Sequence, residues 1–276
     1  MRVANLQGRA AFITPENLAI DIERASSGAL PHDPMQLFER WAQVRKLAAT
    51  VHGGVPFAAA DLDAPSPLPR QIFGIGLNYR EHAVETGAPI PDTPLTFTKF
   101  ASAVNKPFGD IPIEVSTTDW EIELVVVIGS GGRNIAESAA WDAVAGLCVG
   151  QDISDRVLQR ATQPPQFNLG KSRRGYAPFG PWLVDATTVS NRDALALTCT
   201  LNGEVVQQSN SSDLIFSIPQ LVAYLSSIVE LCPGDAIFTG TPSGVGGART
   251  PPRFLTSGDV LVSTIDGVGS ITNHCV

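Results

Sequence analysis

The chain lacks most of the signals that place a protein in a special class. It has four cysteines in 276 residues, Cys148, Cys199, Cys232 and Cys275, all far apart. Without a C-x-x-C pair there is no redox motif and no zinc ribbon. The expectation is four buried free thiols in a reducing, cytoplasmic setting. Histidine is equally scarce: His32, His52, His82 and His274 never fall at the spacing of a zinc-binding pair. Lys and Arg total 19 against 27 Asp and Glu, for a net charge of −8, and no basic stripe occurs. Nucleic acid and an anionic membrane are therefore not expected as partners. No apolar run approaches the roughly 18 residues needed to cross a bilayer. The opening Met1-Arg2-Val3-Ala4-Asn5 has no signal-peptide core. Glycine motifs fail as well. Gly74-Ile75-Gly76 runs on to Tyr79 where a dinucleotide fingerprint needs glycine, and Pro165 stands where a phosphate loop ending Gly170-Lys171-Ser172 needs its first glycine. Thr241 occupies the glycine position of a would-be nucleophile elbow.

What is present is 43% hydrophobic residues arranged in short runs, enough for a sizeable core. Arg2–Leu6 and Arg9–Thr14 read as a hairpin turning at Gln7-Gly8. Asp33-Pro34 starts a helix that Leu37, Trp41, Val44, Ala48 and Val51 continue to about Thr50. The proline-rich stretch Ala60–Arg70 reads as a linker, giving a small α/β domain at 1–68 and a larger one at 69–276. In the second part strand-like runs dominate: Ile72–Gly76, Leu95–Lys99, Glu121–Ile128, Ala145–Val149, Trp182–Val184, Ala196–Leu201, Ala236–Gly240 and Val260–Ile265. Clear helices are expected only over Glu137–Ala145 and over Ile218–Glu230, the latter capped by Ser217. That balance predicts an α+β, mainly β fold: a sandwich, barrel or roll, not a doubly wound sheet.

Three clusters carry possible chemistry. In Asp119-Trp-Glu-Ile-Glu-Leu-Val-Val-Val-Ile-Gly129 the strand period of two puts Glu121 and Glu123 on one face, with Ile122 opposite. They are either two solvated acids at a strand end or part of a hard-cation site, for which Asp152 is a candidate third ligand. In Asn78-Tyr-Arg-Glu-His-Ala-Val-Glu85, a helix would set His82 beside Glu85, suiting a general base; a mixed-charge surface helix would look the same. Arg156, Gln159 and Lys171 could neutralise an anionic substrate, or be ordinary surface groups.

From Gly74 onward these stretches, together with Gln151-Asp-Ile-Ser-Asp-Arg156, L-N-G-E-V-V-Q-Q-S-N-S-S-D-L-I-F-S-I-P and L-C-P-G-D-A-I-F-T-G-T-P-S-G-V-G, resemble the fumarylacetoacetate hydrolase superfamily, in its acylpyruvate hydrolase and 2-hydroxyhepta-2,4-diene-1,7-dioate isomerase subgroup. The resemblance implies a mixed β-sandwich roll with a small N-terminal domain, usually a homodimer. It implies Mg²⁺ or Mn²⁺ on Glu121, Glu123 and Asp152, and a catalytic His82–Glu85 dyad on a lid. Arg156, Gln159, Lys171 and Thr241 would hold the 2-oxo acid end of a small substrate. Lys171 would also serve catalysis, and Lys99 matches a further substrate-side lysine. The implied reaction is hydrolysis of a C–C bond in an acylpyruvate-like β-diketo acid, by water that His82 activates, through an enolate. Oxaloacetate decarboxylation and dienedioate isomerisation or tautomerisation on the same site are alternatives, as is a non-catalytic small-acid binder that keeps the metal. Two departures from the family pattern, Arg173-Arg174 after Ser172 and Phe100 after Lys99, bear on substrate identity. The extra arginines would suit either a second acidic group on the substrate or a solvated loop.

Overall fold

The computed structural model describes residues 1–276. Its centre is the strand Ile122–Ile128, in which all seven residues are buried. Both of its faces are covered. Ile122, Leu124, Val126 and Ile128 enter one core together with Leu197, Leu201, Leu261 and Ile271. Val125 and Val127 enter another with Phe12, Leu37 and Trp41. Burial on two sides is why the run shows no polar alternation after Glu123.

An 11-stranded mixed sheet surrounds that strand. Along its main path the order is Ala19–Asp21, Arg9–Ile13, Arg2–Leu6, Ala177–Asp185, Val144–Gln151, Ile122–Ile128, Ala236–Phe238, Ile72–Gly76 and Leu95–Thr98. A four-stranded antiparallel sheet packs on one face, ordered Glu204–Asn210, Ala196–Leu201, Val260–Ile265, Gly269–His274. The expected sheet-dominated α+β architecture is what the chain forms.

The segment 1–68 shares its sheet and a core with the rest of the chain. Arg2 and Val3 pair with Val184 and Leu183, and Leu62–Asp63 pairs back onto Leu6 and Asn5. Within the proline-rich stretch Ala64 and Ser66 are buried, and Ser66 Oγ donates to the Gly234 carbonyl at 2.6 Å. It is a fixed strap, not a free linker. The helix begun at Asp33-Pro34 is broken: Pro34–Leu37 passes through a tight turn at Phe38–Arg40 into Trp41–Ala48. The helix read over Glu137–Ala145 ends at Ala143, because Val144 and Gly146 are already pairing with Ile128 and Val127. Ile218–Ile228 follows expectation, with Ser217 and Gln220 in a capping box. Of the thiols, Cys148, Cys199 and Cys275 are buried and Cys232 is half-exposed, so the expectation of four buried thiols fails at Cys232.

Candidate active site

The site forms where the central strand loses its backbone partner on one side while Val144–Gln151 stays paired on the other. Ala236–Phe238 pairs with the central strand only as far as Val125. Beyond that the chain turns away through Gly240, whose φ of +108° places it in the left-handed region. A Cβ there would lie 2.7 Å from that of Asn78. Side chains take over the missing ladder. Thr239 Oγ1 donates to the Leu124 carbonyl at 2.8 Å and Thr241 Oγ1 to the Ile122 carbonyl at 2.9 Å. The N–H groups of Glu121 and Ile122 donate to the amide oxygens of Gln151 and Gln207, at 2.8 and 2.9 Å. The N–H groups of Glu121 and Ile122 and the carbonyls of Ile122 and Leu124 are thereby satisfied, and a gap opens beside Glu121.

Asp152 stands just past the end of the neighbouring strand Val144–Gln151, its N–H donating to the Glu121 carbonyl at 2.9 Å. Ligand oxygens of Glu121, Glu123 and Asp152 lie within 4.8 Å of one another, and all three residues are buried. Lys171 Nζ bridges Glu121 and Asp152, 2.7 Å from each. Arg156 Nη1 meets Glu121 at 2.6 Å, and its Nε meets Asp119 at 2.7 Å. Burial alone would raise the Glu121 carboxyl, but Lys171 and Arg156 outweigh it and hold it down at about 2. Glu123 goes the other way: burial, then Asp152 and Glu121, push it well above the usual carboxylate range. Its Oε2 accepts the Gly240 N–H at 2.8 Å, but no lysine or arginine reaches it. A buried carboxylate without a cation, beside two others, is a donor set of hard oxygens that fits Mg²⁺ or Mn²⁺.

The lid helix Arg80–Thr86 ends on Gly87 in the left-handed conformation. His82 Nδ1 lies 2.9 Å from Glu85 Oε2, and Glu85 Oε1 accepts the Gly244 N–H at 2.8 Å. With Nδ1–H turned to the carboxylate, Nε2 is the ring nitrogen left to accept a proton. Asn78 anchors the start of the lid, donating to the carbonyls of Phe216 and Thr239 at 3.1 and 2.7 Å. Lid and floor enclose a cavity of about 480 Å³ whose lining includes His82, Glu85, Glu121, Arg156, Gln159, Lys171 and Thr241. Arg156 Nη2 is buried there without a partner, a donor available to an anionic oxygen. A second cavity of about 450 Å³ lies by Met1, Arg45 and Asp185, and the three-carboxylate cluster and the His82–Glu85 pair lie elsewhere.

Sequence reasoning misplaced one residue and left one question open. Lys99, expected on the substrate side, has a fully buried side chain. It lies beneath the carboxylates, donating to Asp152 Oδ1 and to the Lys171 carbonyl, and burial lowers its pKa. It supports the floor and is not part of the cavity wall. Arg173 is held by Asp155 at 2.9 Å and Glu114 at 3.2 Å, and Arg174 is exposed. Neither lines the cavity. Three residues were missed. Asp119 gathers Arg156 and the N–H groups of Gly246 and Gly247. Gln207 donates to Thr241 Oγ1 at 2.8 Å. Arg160 lines the cavity one turn beyond Arg156. For Asp119, its place two residues before Glu121 on the same face was the available signal.

Residues 71–276 match the family model described as Fumarylacetoacetate (FAA) hydrolase C-terminal. A relative from Xenopus laevis named "Oxaloacetate tautomerase fahd2, mitochondrial" is 42% identical over 215 residues, 77% of this chain and 67% of its own. A solved Mycobacterium smegmatis protein assigned to HpcE superposes with a TM-score of 0.95 at 46% identity, covering 100% of this chain and 99% of its own. Fumarylpyruvate hydrolase from Pseudomonas aeruginosa, solved with Mn²⁺ and pyruvate, has a TM-score of 0.68 at 34% identity, covering 75% and 90%. No helix of the present chain is long and apolar enough to cross a membrane. On the family model, the relatives and the shared architecture, the chain belongs to the fumarylacetoacetate hydrolase family.

Proposed function

We propose that the chain is a divalent-cation-dependent enzyme that transfers protons at the carbon beside the keto group of a small 2-oxo acid, by way of an enol or enolate. One observation carries this reading. Glu123, buried with no salt-bridge partner, completes a three-carboxylate cluster that reaches, through Glu121, the cavity lined by the carboxylate-oriented imidazole of His82. Glu121, Glu123 and Asp152 would hold Mg²⁺ or Mn²⁺. Bound there, the cation supplies Lewis-acid polarisation of the substrate's carboxylate and keto oxygens.

The chain's own residues do the rest. The free Nη2 of Arg156 receives the substrate carboxylate, with Gln159 and Thr241 on the adjoining wall. His82 accepts and returns the proton through Nε2. Glu85 stabilises the imidazolium and, through Gly244, fixes the lid that holds it. Lys171 offsets negative charge at the floor as the substrate's anion approaches.

Keto–enol tautomerisation of oxaloacetate is placed first among the outcomes, in view of the frog relative's name. It needs a proton shuttle and no attacking water. Hydrolysis of a 2,4-dioxo acid stands second, favoured by the Pseudomonas relative and by the His82–Glu85 pair, whose geometry equally suits activation of water. Assays of oxaloacetate, an acylpyruvate and a hydroxydienedioate with Mg²⁺ or Mn²⁺ test this reading. Turnover of at least one, abolished by chelation and restored by the cation, is expected. Turnover of none, or turnover indifferent to chelation, overturns it. The same reading includes a homodimer, checked by light scattering.

A further inference from the structure

The charges lining the cavity balance at its floor but not at its outer wall. Lys171 is engaged by Glu121 and Asp152, and Arg156 by Asp119 and Glu121. Nearby, Arg249 and Arg253 are both paired with Glu204. Arg160 differs. It is exposed, it lines the same cavity, and its guanidinium meets no carboxylate and makes no hydrogen bond. It directly follows the short helix Arg156–Gln159. Residues four apart at a helical turn have Cβ atoms about 5–6 Å apart, so Arg156 and Arg160 form an inner and an outer cation along one wall. One cation deep in the wall and one at its rim is an arrangement that can hold both ends of a dicarboxylic acid. Phe97, Phe167 and Phe254 also line the cavity and offer uncharged surface for the carbon chain between.

We propose that Arg160 determines specificity at this site by binding the distal carboxylate of a 2-oxo dicarboxylic acid. The role that the sequence left open for Arg173 and Arg174 thereby falls to a residue one helical turn from Arg156. Arginine suits it because its planar fork binds a carboxylate through two parallel hydrogen bonds. The proposal rests on the 2-oxo acid reading above and names the residue that would tell diacids, oxaloacetate among them, from 2-oxo acids with one carboxylate.

Binding of an unreactive ligand pair tests it. N-oxalylglycine carries an oxalyl head and a distal carboxylate; its methyl ester at the glycine end keeps the head and loses the distal charge. Dissociation constants are measured by calorimetry with saturating Mg²⁺ for the parent, Arg160→Met and Arg160→Lys. The parent is expected to prefer the diacid by about tenfold, the scale of a charge-assisted hydrogen bond. Arg160→Met should erase that preference and Arg160→Lys retain part of it. Equal affinity of the parent for both ligands, or an undiminished preference in Arg160→Met, overturns the proposal and leaves the 2-oxo acid reading intact. Binding of neither ligand by the parent overturns both.

Discussion

The floor and the lid of the cavity are built on opposite principles. Floor residues sit on or at the ends of two strands in which every residue is buried, and each acid is held by hydrogen bonds or ion pairs: Glu121 by Lys171 and Arg156, Asp152 by Lys99 and Lys171, Glu123 by the Gly240 N–H. The lid is a seven-residue helix with Val84 79% exposed, joined to the opposite loop by Glu85 on Gly244 and by an outer contact of Ser243 with Glu81. A cation site needs donors that do not relax; a base that admits substrate must move. Removing a floor group should therefore abolish the reaction together with cation binding, whereas removing a lid group should spare cation binding.

The sharpest break in that contrast is Asp152→Ala. It should lower kcat/KM about a thousandfold or more and remove Mn²⁺ binding measured by calorimetry. His82→Ala should reduce kcat by about a hundredfold or more while Mn²⁺ affinity stays within about twofold of the parent. A parallel loss of cation affinity would show that the lid is part of the floor. Lys99→Met should weaken Mn²⁺ binding about tenfold to a hundredfold, as expected for a group that orients a metal ligand, with KM measured at saturating Mn²⁺ nearly unchanged. A large rise in KM would return Lys99 to the substrate side. The smallest effect is that of pH. The Glu123 carboxyl is raised, so without a cation it keeps its proton above the usual carboxylate range. A cation must displace that proton. Mn²⁺ affinity should accordingly fall as pH is lowered, by at most about tenfold per unit for one proton, and binding should release protons detectable in buffers of different ionisation enthalpy.

The same contrast separates what was legible in the sequence from what was not. Glu121 and Glu123 could be placed on one face by strand period alone, and Ser217 announced the helix that follows it. Asp152 stayed one candidate reading until the family resemblance, because its partners come from another strand about thirty residues back. Lys99 was misread because a sequence states a charge and not its depth. The helix expected to reach Ala145 stopped at Ala143 because pairing with Ile128 and Val127 overrode local preference. Among the strands that went unmarked are Glu204–Asn210 and Gly269–His274. Each keeps exposed or half-exposed positions and so lacks a continuous apolar run. Arg160 looked like any surface arginine until its lack of a counter-charge could be seen in three dimensions.

The way the central strand is released from its neighbour bears on how such a site could be redesigned. Past Val125 the last backbone bond on that side is from Thr239 to Leu124, reinforced by the Thr239 hydroxyl, and Thr241, Gln151 and Gln207 then stand in for the ladder. A ladder can be altered only by shifting register along its whole length. Four side chains can be exchanged one at a time. The aperture of the pocket is thus a modular property, open to adjustment by point substitution while the surrounding sheet keeps its pairing.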